Sequence, residues 1–134
     1  MLLIESPHNE RFKKLLKLST DNKFRRKSKL FIIEGLKEIR AALEHNYELE
    51  EVYIDDKYKT AFPEKEFDQV SVTILKHDLF SRLVYREDAS YILAVLKEPV
   101  LDLSQIQLPE NPLIIILENI EKPGGRGIFL MKHL

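Results

Sequence analysis

The chain has 134 residues, 44% hydrophobic and 32% charged, with a formal net charge of −1 and no cysteine. A chain of this length buries roughly two thirds of its unfolded surface, enough for one core without covalent staples. A disulfide scaffold and a thiolate zinc site are excluded, and no run of about eighteen apolar residues exists to span a membrane. The start, MLLIESPHNERFKK, has early charges and no small-residue cleavage site, so no secretory signal is read and a cytoplasmic location is expected. The histidines (His8, His45, His77, His133) are scattered, and no metal site is expected. Charge is segregated: residues 11–29 hold nine Lys/Arg against one acid, Asp21, and residues 44–56 hold six acids and no Lys/Arg. Such separation is an electrostatic footprint, whereas interspersed charge would be ordinary surface.

In chain order, residues 9–18 carry Phe12, Leu15 and Leu16 at helical spacing, which predicts an amphipathic helix. Ser6-Pro7 fits an N-cap followed by proline at the first helical position. Residues 19–29 read as a basic loop or a fraying helix end. A short buried strand follows at 30–33, and Glu34-Gly35 opens a second helix over 36–46, with Leu36, Ile39, Ala42 and Leu43 as its apolar stripe. Residues 49–54 predict a strand, 55–67 a short helix and loop, and 70–75 another strand. A helix over 77–85 places Asp78 near its positive end and Leu79, Leu83 and Val84 inward. Residues 91–96 are uniformly apolar and predict a central strand. The order implies an α/β sandwich. Residues 99–111, rich in proline, read as a linker, and 113–117 (LIIIL) as a new buried strand.

Three segments could carry chemistry. KFRRKSK (23–29) sets five cations around Phe24, a pattern suited to neutralising phosphates; Phe24 could stack on a base or anchor the segment to the core. The FIIEG turn (31–35) offers a glycine before a helix start, which allows close backbone approach to a ligand or a positive φ, with Glu34 placed to cap. EKPGGRG (121–127) follows a strand as phosphate-cradling loops do, yet it lacks the lysine and hydroxyl of a P-loop and reads equally as a tail. No nucleophile has an adjacent base. The acidic pairs Glu50-Glu51 and Asp55-Asp56 read as surface solvation, because neighbours on a strand point to opposite faces.

Together these pieces resemble the SpoU/TrmH family of RNA 2′-O-ribose methyltransferases. The resemblance rests on Ser6 and Asn9 before a basic helix ending Lys17-Leu18, on Arg25-Arg26-Lys27 before FIIEG and LKEIRAALEH, on ELEEVYID (48–55), on YILAVL (91–96) and on PLIIILENIEKPG (112–124). It implies that residues 1–98 are an RNA substrate-binding domain, a small α/β/α sandwich similar to ribosomal-type RNA-binding proteins. Residues 112–134 then resemble the start of a knotted catalytic domain that binds S-adenosylmethionine, in which the proline-glycine loop leads into a helix. Gly125 and Met131 stand where the family's motif has its catalytic asparagine and arginine. The pattern fails after Gly124, and the later motifs do not occur in this chain. The resemblance thus implies a truncated or frameshifted catalytic part, with no catalytic or cofactor-binding residue in this chain.

The expected function is RNA binding on behalf of an rRNA or tRNA 2′-O-methyltransferase. The expected contacts are Lys13, Lys14, Lys17, Lys23, Arg25, Arg26, Lys27 and Lys29, with Glu34-Gly35 as an adjoining turn. The family's dimerisation through its catalytic domain implies a homodimer only where that domain is present. Two alternatives stay open on the residues alone: a stand-alone RNA-binding module of ribosomal type, and a protein that self-associates by pairing its basic and acidic surfaces.

Overall fold

The computed structural model describes residues 1–84 and 90–99 in full, and the backbone of the strand residues 113–117 and 128–132. The chain divides into two units, Met1–Pro99 and Val100–Leu134. In the first unit the elements are β1 (Leu2–Ile4), α1 (Glu10–Thr20), α2 (Asn22–Ser28), β2 (Leu30–Glu34), α3 (Leu36–Glu44) and β3 (Leu49–Asp55). Two 3-10 helices, Asp56–Ala61 and Glu64–Phe67, come next, then β4 (Ser71–Leu75), α4 (His77–Ser81) and β5 (Ile92–Lys97).

The five strands form one sheet in the order β1-β4-β3-β5-β2. β1, β4 and β3 run parallel, and β5 lies antiparallel between β3 and β2. Strand alternation sorts the side chains onto two faces. Tyr53, Leu75, Leu93 and Val95 meet α1 through Phe12, Leu15 and Leu18, α4 through Leu79 and Phe80, and the turn after α4 through Leu83. Val52, Ile54, Ile92, Ala94 and Leu96 meet Ile39 and Ala42 of α3 and Phe62 and Phe67 of the 3-10 region. β5 faces core on both sides, which is why it is apolar at successive positions. Full burial of a side chain such as Phe12 or Leu15 stabilises by roughly 1.5–3 kcal/mol.

The α/β/α layering agrees with the sequence, and several local expectations change. β1 was not legible, because three residues are too short to show a period. The cap of α1 is Asn9, whose side chain accepts from the N–H groups of Arg11 and Phe12 at 2.9 and 3.3 Å. Ser6 instead shapes the preceding turn, accepting from the His8 N–H on its hydroxyl and from the Asn9 N–H on its carbonyl. α3 stops at Glu44, and Leu43 faces outward rather than joining the stripe. α4 ends at Ser81 and buries Phe80 as well as Leu79. Tyr85 of the expected helix lies outside the described residues.

In the second unit, β6 (Leu113–Leu117) pairs antiparallel with β7 (Ile128–Lys132), Leu113 opposite Lys132 and Leu117 opposite Ile128. The LIIIL strand was expected. The strand at 128–132 was not foreseen: IFLMK is rich in β-favouring residues and finds a ready partner in β6. The linker residues 100–111 and the EKPGGRG loop lie outside the described residues.

Candidate nucleic-acid interface

The basic run 23–29 is helical, which corrects the reading of 19–29 as a loop or fraying end. Asp21 closes α1 through its backbone and opens α2 through its side chain, which accepts from the Phe24 N–H at 3.1 Å. Phe24 packs onto the core beneath α1 and α4. Arg25, Arg26 and Lys27 fall in the last turn, where cations favour the negative end of the helix dipole. Lys29 closes α2 in the left-handed conformation, φ 57°. Seven residues with cations on several faces carry no clean apolar period, so the cap and the tertiary contact of Phe24 create this helix.

α1 and α2 share one face of the sheet and form a continuous basic surface. Lys13, Lys14, Lys17, Lys23, Arg26, Lys27 and Lys29 are exposed. Lys13 lies 3.9 Å from Glu10, a weak surface pair. Among the described residues, no carboxylate lies within ion-pair distance of Lys14, Lys17, Lys23, Arg26, Lys27 or Lys29. Arg25 is half-buried, and its Nη1 donates to the carbonyls of Leu18 and Ser19 at 3.2 and 3.5 Å. It thus ties the end of α1 to α2. Lys17 rests its ammonium 4.7 Å from the centroid of the Phe24 ring.

Glu34-Gly35 is not beside this cluster. β2 separates them, and five residues at ~3.3 Å each put Glu34 about 17 Å from Lys29. At the Lys29 end, the Lys29 carbonyl accepts from the Glu98 N–H and the Glu48 carbonyl from the Lys97 N–H. At the other end, the Gly35 N–H donates to Ile92 and the Asp55 N–H to Tyr91. Gly35 has φ +99°, and an added Cβ would collide with the Glu38 carboxylate. Its conformation explains the glycine without a ligand. Glu34 does not occupy the cap position of α3, which is Gly35.

The acidic pairs are not simple solvation. Asp55 is buried; its carboxylate accepts from the Lys57 N–H at 3.0 Å and holds His77 Nδ1 at 2.7 Å. The pair joins the end of β3 to the start of α4. Glu51 accepts from the Tyr53 hydroxyl and lies 3.6 Å from Arg11, whose guanidinium sits over the Tyr53 ring. Burial, then the Glu51 hydrogen bond and charge, hold the Tyr53 phenol above the usual tyrosine range, with Arg11 opposing in part. Glu48 and Glu50 both reach Lys97, at 3.3 and 3.0 Å. Sequence reading missed the Asp55–His77 tie, since nothing in one dimension links residues 22 positions apart. Among the described residues no cluster could hold a metal ion, and no helix is long and apolar enough to cross a membrane. Gly125 lies outside the described residues; Met131 lies in β7 opposite Ile114.

Residues 9–94 match the family model of the MRM3-like substrate binding domain, and the chain belongs to that family. Among solved structures, an RNA 2′-O ribose methyltransferase is 26% identical at TM-score 0.69, over 92% of this chain and 48% of its own. The SpoU methyltransferase AviRb from Streptomyces viridochromogenes, solved with AdoMet, is 22% identical at TM-score 0.66, over 77% of this chain and 40% of its own. An rRNA methyltransferase from Sinorhizobium meliloti is 17% identical at TM-score 0.62, over 78% and 39%. The chain therefore spans less than half the length of these structures. No curated protein matches it. The SpoU/TrmH resemblance and the α/β fold both hold.

Proposed function

We propose that residues 1–98 form the RNA-binding arm of an SpoU/TrmH-type 2′-O-ribose methyltransferase acting on rRNA or tRNA. One observation carries the reading: a substrate-binding-domain fold displays exposed cations along α1 and α2 that have no carboxylate partner among the described residues. Lys14, Lys17, Lys23, Arg26, Lys27 and Lys29 are the principal phosphate contacts. Lys13 and the remaining nitrogens of Arg25 lie at the margin. Residues 99–111 serve as the linker, and 112–134 correspond to the opening of the catalytic part. The alternative of charge-paired self-association is less favoured, because Glu48, Glu50, Glu51, Asp55 and Asp56 each have a partner within the chain.

S-adenosylmethionine is the cofactor proposed for the whole enzyme. The described residues of the second unit are the strand positions LIIIL and IFLMK, and no cofactor contact is assigned to them. No catalytic step is assigned to the described residues.

Single-stranded RNA binding, followed by fluorescence anisotropy from low to physiological salt, tests the reading. If about six phosphates are contacted, the log–log slope is near −4. The triple variant Lys23→Glu, Arg26→Glu, Lys27→Glu reduces its magnitude by about 2. A flat salt response in the unsubstituted chain refutes the assignment.

A further inference from the structure

We propose that the corner between α1 and α2 is a subsite for one unpaired nucleotide, whose base stacks on Phe24 and displaces the Lys17 ammonium onto a flanking phosphate. The inference rests on the RNA-binding reading and deepens it. The corner is a depression of about 470 Å³ lined by Lys17, Asp21, Lys23, Phe24, Lys27 and Ser28. Its volume lies within the range of pockets that take small ligands. Its composition is unusual for a solvated basic surface: an aromatic ring lies in the wall, and three lysines share the rim.

Phe24 has two environments. It is partly buried and packs against the core cluster of this face. It also lines the depression, where Lys17, 4.7 Å from the ring centroid, is the only cation on the ring among the described residues. A cation–π contact at an exposed site shifts an equilibrium by about two- to fivefold. A nucleobase stacked on an aromatic side chain shifts it by about 5- to 150-fold. The stronger contact displaces the weaker one. Lys17 is long and exposed, and a phosphate beside the stacked base gives its charge a better partner. Lys23 and Lys27 take the phosphates on the other rim. The Asp21 carboxylate, fixed by its bond to the Phe24 N–H, repels phosphate and so sets which end of the depression the backbone avoids.

The geometry distinguishes paired from unpaired RNA. Bases inside a duplex are stacked on one another and offer no free π-face, and the A-form major groove is too deep and narrow for side chains to read. A duplex can meet the lysines and cannot meet the ring. Phe24 is thus a specificity-determining residue for single-stranded or looped RNA, and the lysines are not.

The test compares oligouridylate, an abasic ribose-phosphate chain of the same length and a blunt RNA duplex, each titrated with the 134-residue chain over a range of salt. The expected result is a 5- to 150-fold preference for the base-bearing single strand over the abasic chain, with a salt slope steeper by about 0.7, the one phosphate contact that the displaced Lys17 adds. Phe24→Leu keeps the apolar packing and abolishes that preference, Phe24→Tyr preserves it, and neither changes duplex affinity by more than about twofold. Equal binding of abasic and base-bearing chains, with the salt slope intact, overturns the subsite and leaves the phosphate reading standing. Absence of salt-dependent binding to any of the three overturns both. The comparison of RNAs uses the unsubstituted protein, so it decides the matter even where Phe24→Leu unfolds.

Discussion

Gly35→Ala is the sharpest probe of how the first unit is held together. Gly35 links β2 to α3 at φ +99° and ψ 135°, outside the regions open to residues with a Cβ. Holding alanine there costs ~1–3 kcal/mol. The new Cβ also meets the Glu38 carboxylate, which must leave its rotamer at a further ~0.5–1.5 kcal/mol. The combined loss is ~2–4 kcal/mol, a large part of a typical domain stability of ~5–15 kcal/mol. For a unit of this size it corresponds to a fall in Tm of roughly 10–30 °C. Urea unfolding followed by far-UV circular dichroism measures it. Adding Glu38→Ala isolates the collision: the double-mutant coupling recovers only the smaller, side-chain part, because the backbone conformation stays the same. Under native conditions the folded Gly35→Ala protein keeps the RNA salt slope, since β2 separates Gly35 from α2. A loss below about 0.5 kcal/mol would refute the conformational argument, and a normal stability with weakened RNA binding would return Gly35 to the interface.

Two further outcomes follow from local contacts. Asn9→Ala removes the acceptor for two N–H groups at the start of α1 and costs ~1 kcal/mol, whereas Ser6→Ala, which only loosens the turn before it, costs less; equal losses in urea midpoints would restore Ser6 as the cap. Tyr53 makes the folded state less tolerant of alkali. Its phenol is held above the ordinary value of ~10, so stability is complete below that value. As pH rises further the unfolded chain loses the proton first, and stability falls by up to ~1.4 kcal/mol per pH unit until the folded phenol also ionises. Tyr53→Phe flattens this alkaline limb, and parallel stability curves for the two proteins between pH 8 and about 11.5 would contradict it.

Much of the layered fold was legible before the structure. Phe12 and Leu15 mark α1 by spacing, and the apolar run of β5 announces a strand covered on both faces. These signals survive in one dimension because burial on a helix or strand imposes its own period. The charge segregation that led to α1 and α2 was equally visible, since composition needs no fold. The EKPGGRG loop, in which the family pattern ends, lies outside the described residues, and the strand after it took a partner that local motif reading did not supply.

The sequence by itself determined the class of the protein, the place of its cations and the presence of a glycine where a strand turns into a helix. Tertiary structure decided the rest. It made a helix of NKFRRKS, because Phe24 found a core to pack on and Asp21 supplied the cap. It buried Asp55 against His77 and drew Glu51 toward Tyr53 and Arg11, turning acids that looked solvated into internal ties. It also parted Gly35 from Lys29 by the length of β2. Spacing along a chain fixes which face a residue lies on, but only the packing of that face against another fixes its neighbours.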